Sequence, residues 1–193
     1  MDELEKQITG EVSAITVFLE QQLGRRSRWN REVELSDDPA SFGKALWNGR
    51  INIDRTLAKT DLRWRTQIHE ALHLFSVGLN SSSYSQLRGW EEGVIEQLQR
   101  KLRASTLSTL NVSVPEDIFL AVENRHYYNS FISALEEIRE ALREPAEAFY
   151  LRLLATPLTE RPAGVVELSR RLTTEETISF RRIFALSFSI LRK

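Results

Sequence analysis

Two of the three histidines in this chain of 193 residues, His69 and His73, stand four positions apart in the stretch QIHEALHLF, and Glu70 follows the first directly. On a helix, residues four apart differ by about 40° in direction and one turn in height, so both imidazoles can aim at one ion. A His-Glu-x-x-His helix lets two neutral imidazoles bind Zn²⁺ while the carboxylate takes a proton from water that the ion has acidified to a pKa of about 7. The bland alternative is a polar helix face that merely carries His, Glu and His. Another divalent ion could take the place of zinc at such donors.

A catalytic zinc wants a third protein ligand. The chain has no cysteine and only His126 as a further histidine, which leaves a carboxylate as the source. The helical stretch GWEEGVIEQLQR offers several. Glu92, with eighteen residues between it and His73, shares a side with Arg88 and Glu96, away from the apolar stripe of Trp90, Val94 and Leu98. Glu91 is turned away by one step of about 100°, and Glu96 is placed to orient a histidine from behind. Both also read as ordinary solvated helix residues. Gly93 costs helix propensity but admits a close neighbour.

His69-Glu70-x-x-His73, followed by Glu92-Gly93 within WEEGVIE, resembles the gluzincins, the zinc peptidases that include thermolysin and the zinc aminopeptidases. The resemblance covers about residues 43 to 100. It implies one zinc per chain held by His69, His73 and Glu92, with Glu70 as general base. It also implies an edge strand that holds the peptide extended, here matched to GRINID, and a downstream Tyr or His that steadies the oxyanion. In NRHYYNS the order of preference is Tyr128, Tyr127, then His126. A Tyr on a helical stripe more often packs than reacts, and Tyr150 is read as packing.

The elements that must position these groups follow from periodicity. Ile8, Val12, Ile15, Leu19 and Leu23 make a helical stripe that Gly24 ends, and Val33 and Leu35 alternate with glutamates as in a half-buried strand that stops at Ser36–Pro39. Asn48-Gly49 between apolar runs predicts a tight hairpin with positive φ at both central positions. From Thr60 the period is helical through Ile68, Leu72, Phe75 and Leu79. GLNSSSYSQ reads as a loop, and Leu87, Trp90, Val94, Ile95 and Leu98 then line a helix ending near Arg103. Further helices are expected over 116–124, 128–143, 145–155, 164–172 and 174–191.

The expected architecture is α+β and zincin-like, a single domain over 1–193. An N-terminal lobe, 1–80, carries the short sheet and the active-site helix, and a helical lobe, 81–193, follows. The net charge of −1 argues against broad capture of nucleic acid or anionic membrane. The run RRSRWNR at 25–31 could grip phosphates but reads more simply as a solvated link, and no nucleic-acid fold is recognisable. The amphipathic RRIFALSFSILRK reads as a core helix rather than a partner face. With no cysteine, no basic-apolar leader and no stretch of about 18 uncharged residues, a soluble cytoplasmic protein is expected. The function these readings favour is zinc-dependent hydrolysis of peptide or protein substrates. Its rival is a zincin-fold, zinc-binding interaction module without catalysis, against which the intact Glu70 stands, because a scaffold needs no base.

Overall fold

The stripe from Ile8 to Leu19 forms the buried side of the first helix in the computed structural model, α1 (Glu3–Leu23). Asp2 caps it by accepting from the Glu5 amide at 2.8 Å, and Gly24 ends it with a left-handed φ of 63°. The structure describes residues 2–37 and 42–192, and within them the chain is α+β and mainly helical.

Three strands follow: β1 (Val33–Ser36), β2 (Gly43–Ala45) and β3 (Ile51–Asp54), in the spatial order β1-β3-β2. Alternation puts Val33, Leu35, Ile51 and Ile53 on one face, where they bury against Ile8, Val12, Ala58 and Leu74. Of the expected turn, Ser36 is the last residue of β1, and Asp38 and Pro39 lie outside the described residues. The β2–β3 hairpin forms, but its loop is three residues, Trp47 to Gly49. The Gly49 amide donates to the Leu46 carbonyl at 2.9 Å, the Leu46 amide to Arg50 at 2.7 Å, and only Gly49 has positive φ, 87°. GRINID is not an edge strand. It is the centre of the sheet, parallel to β1 and antiparallel to β2, so the edge nearest in sequence to the histidine helix is β2.

That helix, α2 (Arg63–His73), begins three residues later than expected, because a 3-10 turn at Leu57–Lys59 leaves Thr60 extended. It stops at His73, so Phe75 and Leu79 are buried beyond its end. The stretch read as a loop opens α3 (Ser81–Thr109) instead. Asn80 Oδ1 accepts from the Ser83 amide and Ser83 Oγ from the Asn80 amide, each at 3.0 Å. Asn and Ser favour loops and helix starts for the same reason, their short polar side chains, and here the cap prevails. The rest is helical as expected: α4 (Glu116–Glu123), α5 (Asn129–Ala141), α6 (Ala146–Ala155), α7 (Arg161–Leu168) and α8 (Thr174–Leu191). Pro162 sits in the first turn of α7, which starts ahead of the expected 164.

The chain forms two compact units that do not follow chain order. One runs to Phe75 and takes in Gln99–Asn124, and the other comprises Ser76–Leu98 and continues from Arg125. In the first, Glu11 of α1 holds Arg63 at 3.0 Å and Gln67 at 2.7 Å, tying α1 to α2. Arg103 pairs there with Glu116 and Glu123 over the Phe119 ring. In the second, α5 packs along α8, and Trp90 is buried against Phe184 and Phe188 of α8.

A Cβ at position 49 would lie 2.2 Å from the Arg28 carbonyl oxygen in addition to the unfavourable φ. Gly49→Ala is therefore expected to cost about 2 kcal/mol, read as a lower denaturant midpoint at unchanged slope.

Candidate metal centre

Every residue from Trp64 to Ser76 is buried, so α2 carries its polar side chains without access to bulk water. His69, Glu70 and His73 are 7%, 7% and 6% exposed, and the imidazole centroids lie 5.0 Å apart, edge to face. Glu92, on α3, is 3% exposed. One ligand atom from each of His69, His73 and Glu92 lies within 4.8 Å of the others. Donors 2.0–2.2 Å from a tetrahedral ion stand about 3.4 Å apart, and this set could hold such an ion. Two imidazoles and a carboxylate suit zinc and its divalent neighbours.

The side chains around Glu92 explain how it is held. A Cβ at Gly93 would come within 2.7 Å of Leu135 and 3.1 Å of Phe131 Cβ, so the glycine admits α5 to close packing as expected. The Tyr84 hydroxyl donates to Glu92 Oε1. Eight residues of straight helix separate two positions by about 12 Å. The contact exists because α3 kinks at Leu87, where φ is −134° and ψ 34°. Sequence reasoning missed Tyr84, which lay in the presumed loop, and no local signal announces the kink.

Tyr128, the residue before α5, is close enough to Glu92 to feel its charge. Burial first, then Glu92, push its phenol well above the ordinary tyrosine range, and the same two causes raise Tyr84. Both phenols are thus neutral donors at physiological pH. Arg88, one turn before Glu92, donates to the Tyr127 hydroxyl at 2.5 Å and is bonded to Tyr128. Tyr127 is 56% exposed, and His126 stacks on its ring while His126 Nδ1 accepts from the Tyr128 amide at 3.3 Å.

Glu70 is fixed from the sheet. Its Oε2 accepts from the Ala45 amide at 2.7 Å, and in the β2–β3 register Gly43 and Ala45 direct their backbone groups outward from the edge. A Cβ at Gly43 would lie 2.5 Å from Thr66 Cγ2 and 3.0 Å from Glu70 Cγ, so the edge strand reaches the carboxylate only because position 43 lacks a side chain.

Two acids depart from the solvated reading. Glu91 is fully buried, accepting from Arg161 at 2.8 Å and from Ser76 Oγ at 2.7 Å. Arg161 is equally buried, and its other donors reach the Trp90 carbonyl and Ser76 Oγ. Burial lowers the Arg161 pKa and Glu91 opposes that shift. Glu96 is fully buried too. Each apolar neighbour of these acids on α3 is internal, so the whole middle of the helix is covered rather than one stripe. Tyr150 packs against Phe149 with its hydroxyl on Glu136 at 2.8 Å. From the arginine run, Arg28 caps the end of α2, its amide donating to the Leu74 carbonyl at 3.0 Å and its Nη2 to that of His73 at 3.3 Å.

Tyr84→Phe is expected to weaken divalent-metal affinity about tenfold, measured by competition with a chromogenic chelator; unchanged affinity would divorce Tyr84 from the centre. Glu91→Gln, which leaves Arg161 buried without its counter-charge, is expected to cost about 3–5 kcal/mol in chemical denaturation.

No helix among the described residues is long and apolar enough to cross a membrane. No family model, curated protein or solved structure matches the chain, so the motif and its geometry carry the functional reading by themselves.

Proposed function

We propose that this chain is a zinc-dependent peptidase of gluzincin type on a zincin-like fold, hydrolysing peptide bonds in peptide or protein substrates. The observation that carries the reading is the convergence of His69, His73 and Glu92, three donors from two helices, with Glu70 beside the first of them. Bound zinc would supply Lewis acidity and bring a water's pKa to about 7.

Glu70 takes the proton of the attacking water and returns it to the leaving amine, the two halves of general acid–base catalysis. Its hydrogen bond from the Ala45 amide holds the carboxylate at the outer edge of β2. Tyr128, neutral and half-buried near Glu92, is the donor to the oxyanion, with Tyr127 behind it.

The test pairs metal analysis with cleavage. The protein expressed in zinc-supplemented medium is expected to hold one zinc per chain, and His73→Ala to lose it. Glu70→Gln is expected to keep the metal while kcat/KM on a mixed peptide library falls about 10³-fold. Metal without glutamate-dependent cleavage would overturn the hydrolase and leave a zinc-binding interaction module, and absence of metal would overturn both.

A further inference from the structure

Three of the four tyrosines of the chain gather around one guanidinium, that of Arg88. Its Nη2 donates to the Tyr127 hydroxyl at 2.5 Å, Tyr128 is its foremost hydrogen-bond partner besides, and Tyr84 bonds it as well. The cation lies 5.6 Å from the Tyr127 ring centre and 6.0 Å from that of Tyr128. Its Nε is buried and makes no hydrogen bond.

The identity of these partners matters. Three other buried or half-buried arginines meet acids: Arg63 meets Glu11, Arg103 meets Glu116 and Glu123, and Arg161 meets Glu91. Arg88 meets phenols, which orient the fork without neutralising it. A guanidinium keeps its charge throughout the physiological range, and a donor left beside the three phenols can make a charge-assisted hydrogen bond to a carboxylate. The aromatic rings hold it in place at little cost in side-chain entropy.

We infer that Arg88, framed by Tyr84, Tyr127 and Tyr128, docks a carboxylate of a bound peptide. The carboxylate is supplied either by the chain's own C-terminus or by an acidic side chain. That the peptide is a substrate rests on the peptidase reading, whereas the docking of a carboxylate can be measured without any cleavage. The anion would also leave Tyr128 oriented by Arg88, so docking and oxyanion donation draw on one hydrogen-bonded group.

Titration calorimetry with four small probes separates the cases, using the full chain both metal-free and loaded with zinc. N-acetyl-phenylalanine against its amide tests a terminal carboxylate, and N-acetyl-glutamate α-amide against N-acetyl-glutamine amide tests a side-chain one. In at least one pair the acid is expected to bind about tenfold more tightly than its neutral partner, with and without zinc, and the pair that discriminates names the source. Arg88→Gln is expected to bind acid and neutral probe alike, and Arg88→Lys, which keeps the charge but not the fork, to retain part of the preference. Far-UV circular dichroism and thermal midpoint verify that both variants fold. Equal binding of acid and neutral probes by the wild type would overturn the inference. So would a preference that survives Arg88→Gln, which would place the carboxylate on the metal or elsewhere. A wild type that discriminates the probes yet cleaves no peptide would refute the peptidase and leave the carboxylate site standing.

Discussion

Burial of α2 on all sides is the constraint that organises the first unit. Ionisable and amide side chains removed from water must find partners inside the protein, at a cost of several kcal/mol each when they do not. The surrounding elements supply them one by one. Glu11 of α1 serves Arg63 and Gln67, Glu123 of α4 stands 3.7 Å from Arg65, the edge of β2 serves Glu70, and Arg28 closes the last carbonyls. A helix tied at these points has little freedom to rotate, although Gln67 Oε1 makes no hydrogen bond.

Around Glu92 the physics is complementary. Tyr84 donates to the carboxylate, and Tyr128 stands close enough to feel its charge. The hydrogen bond from Tyr84 fixes the orientation of the carboxylate, as outer groups do for a metal ligand.

The second unit obtains its rigidity by a different route. Its central ion pair, Glu91 with Arg161, is sealed from solvent and satisfied further by Ser76 and backbone carbonyls. Such a pair adds little net stability relative to apolar residues of the same volume, yet it tolerates only one arrangement of the helices that carry it. Glu91 and Glu92, adjacent in sequence and rotated by about 100°, thereby meet different partners: one pairs with Arg161, and its neighbour accepts from Tyr84.

Much of this was legible in the chain. The stripe of α1, the alternation in β1 and β3, the hairpin and the C-terminal helices follow from periodicity and punctuation, which are local properties. So does the pairing of His69 with His73, because helical geometry alone sets residues four apart on one side. What the sequence left open was decided at long range. Whether Asn80 and the serines after it make a loop or a helix start, whether GRINID lies at the edge or in the middle of the sheet, and whether Glu91 meets water or Arg161 each depends on segments tens of residues away. The kink at Leu87 belongs with them, and through it the contact of Tyr84 with Glu92. Spacing along a chain specifies which donors can share a face; only the packing of distant segments determines which face is covered, by what charge, and at what distance.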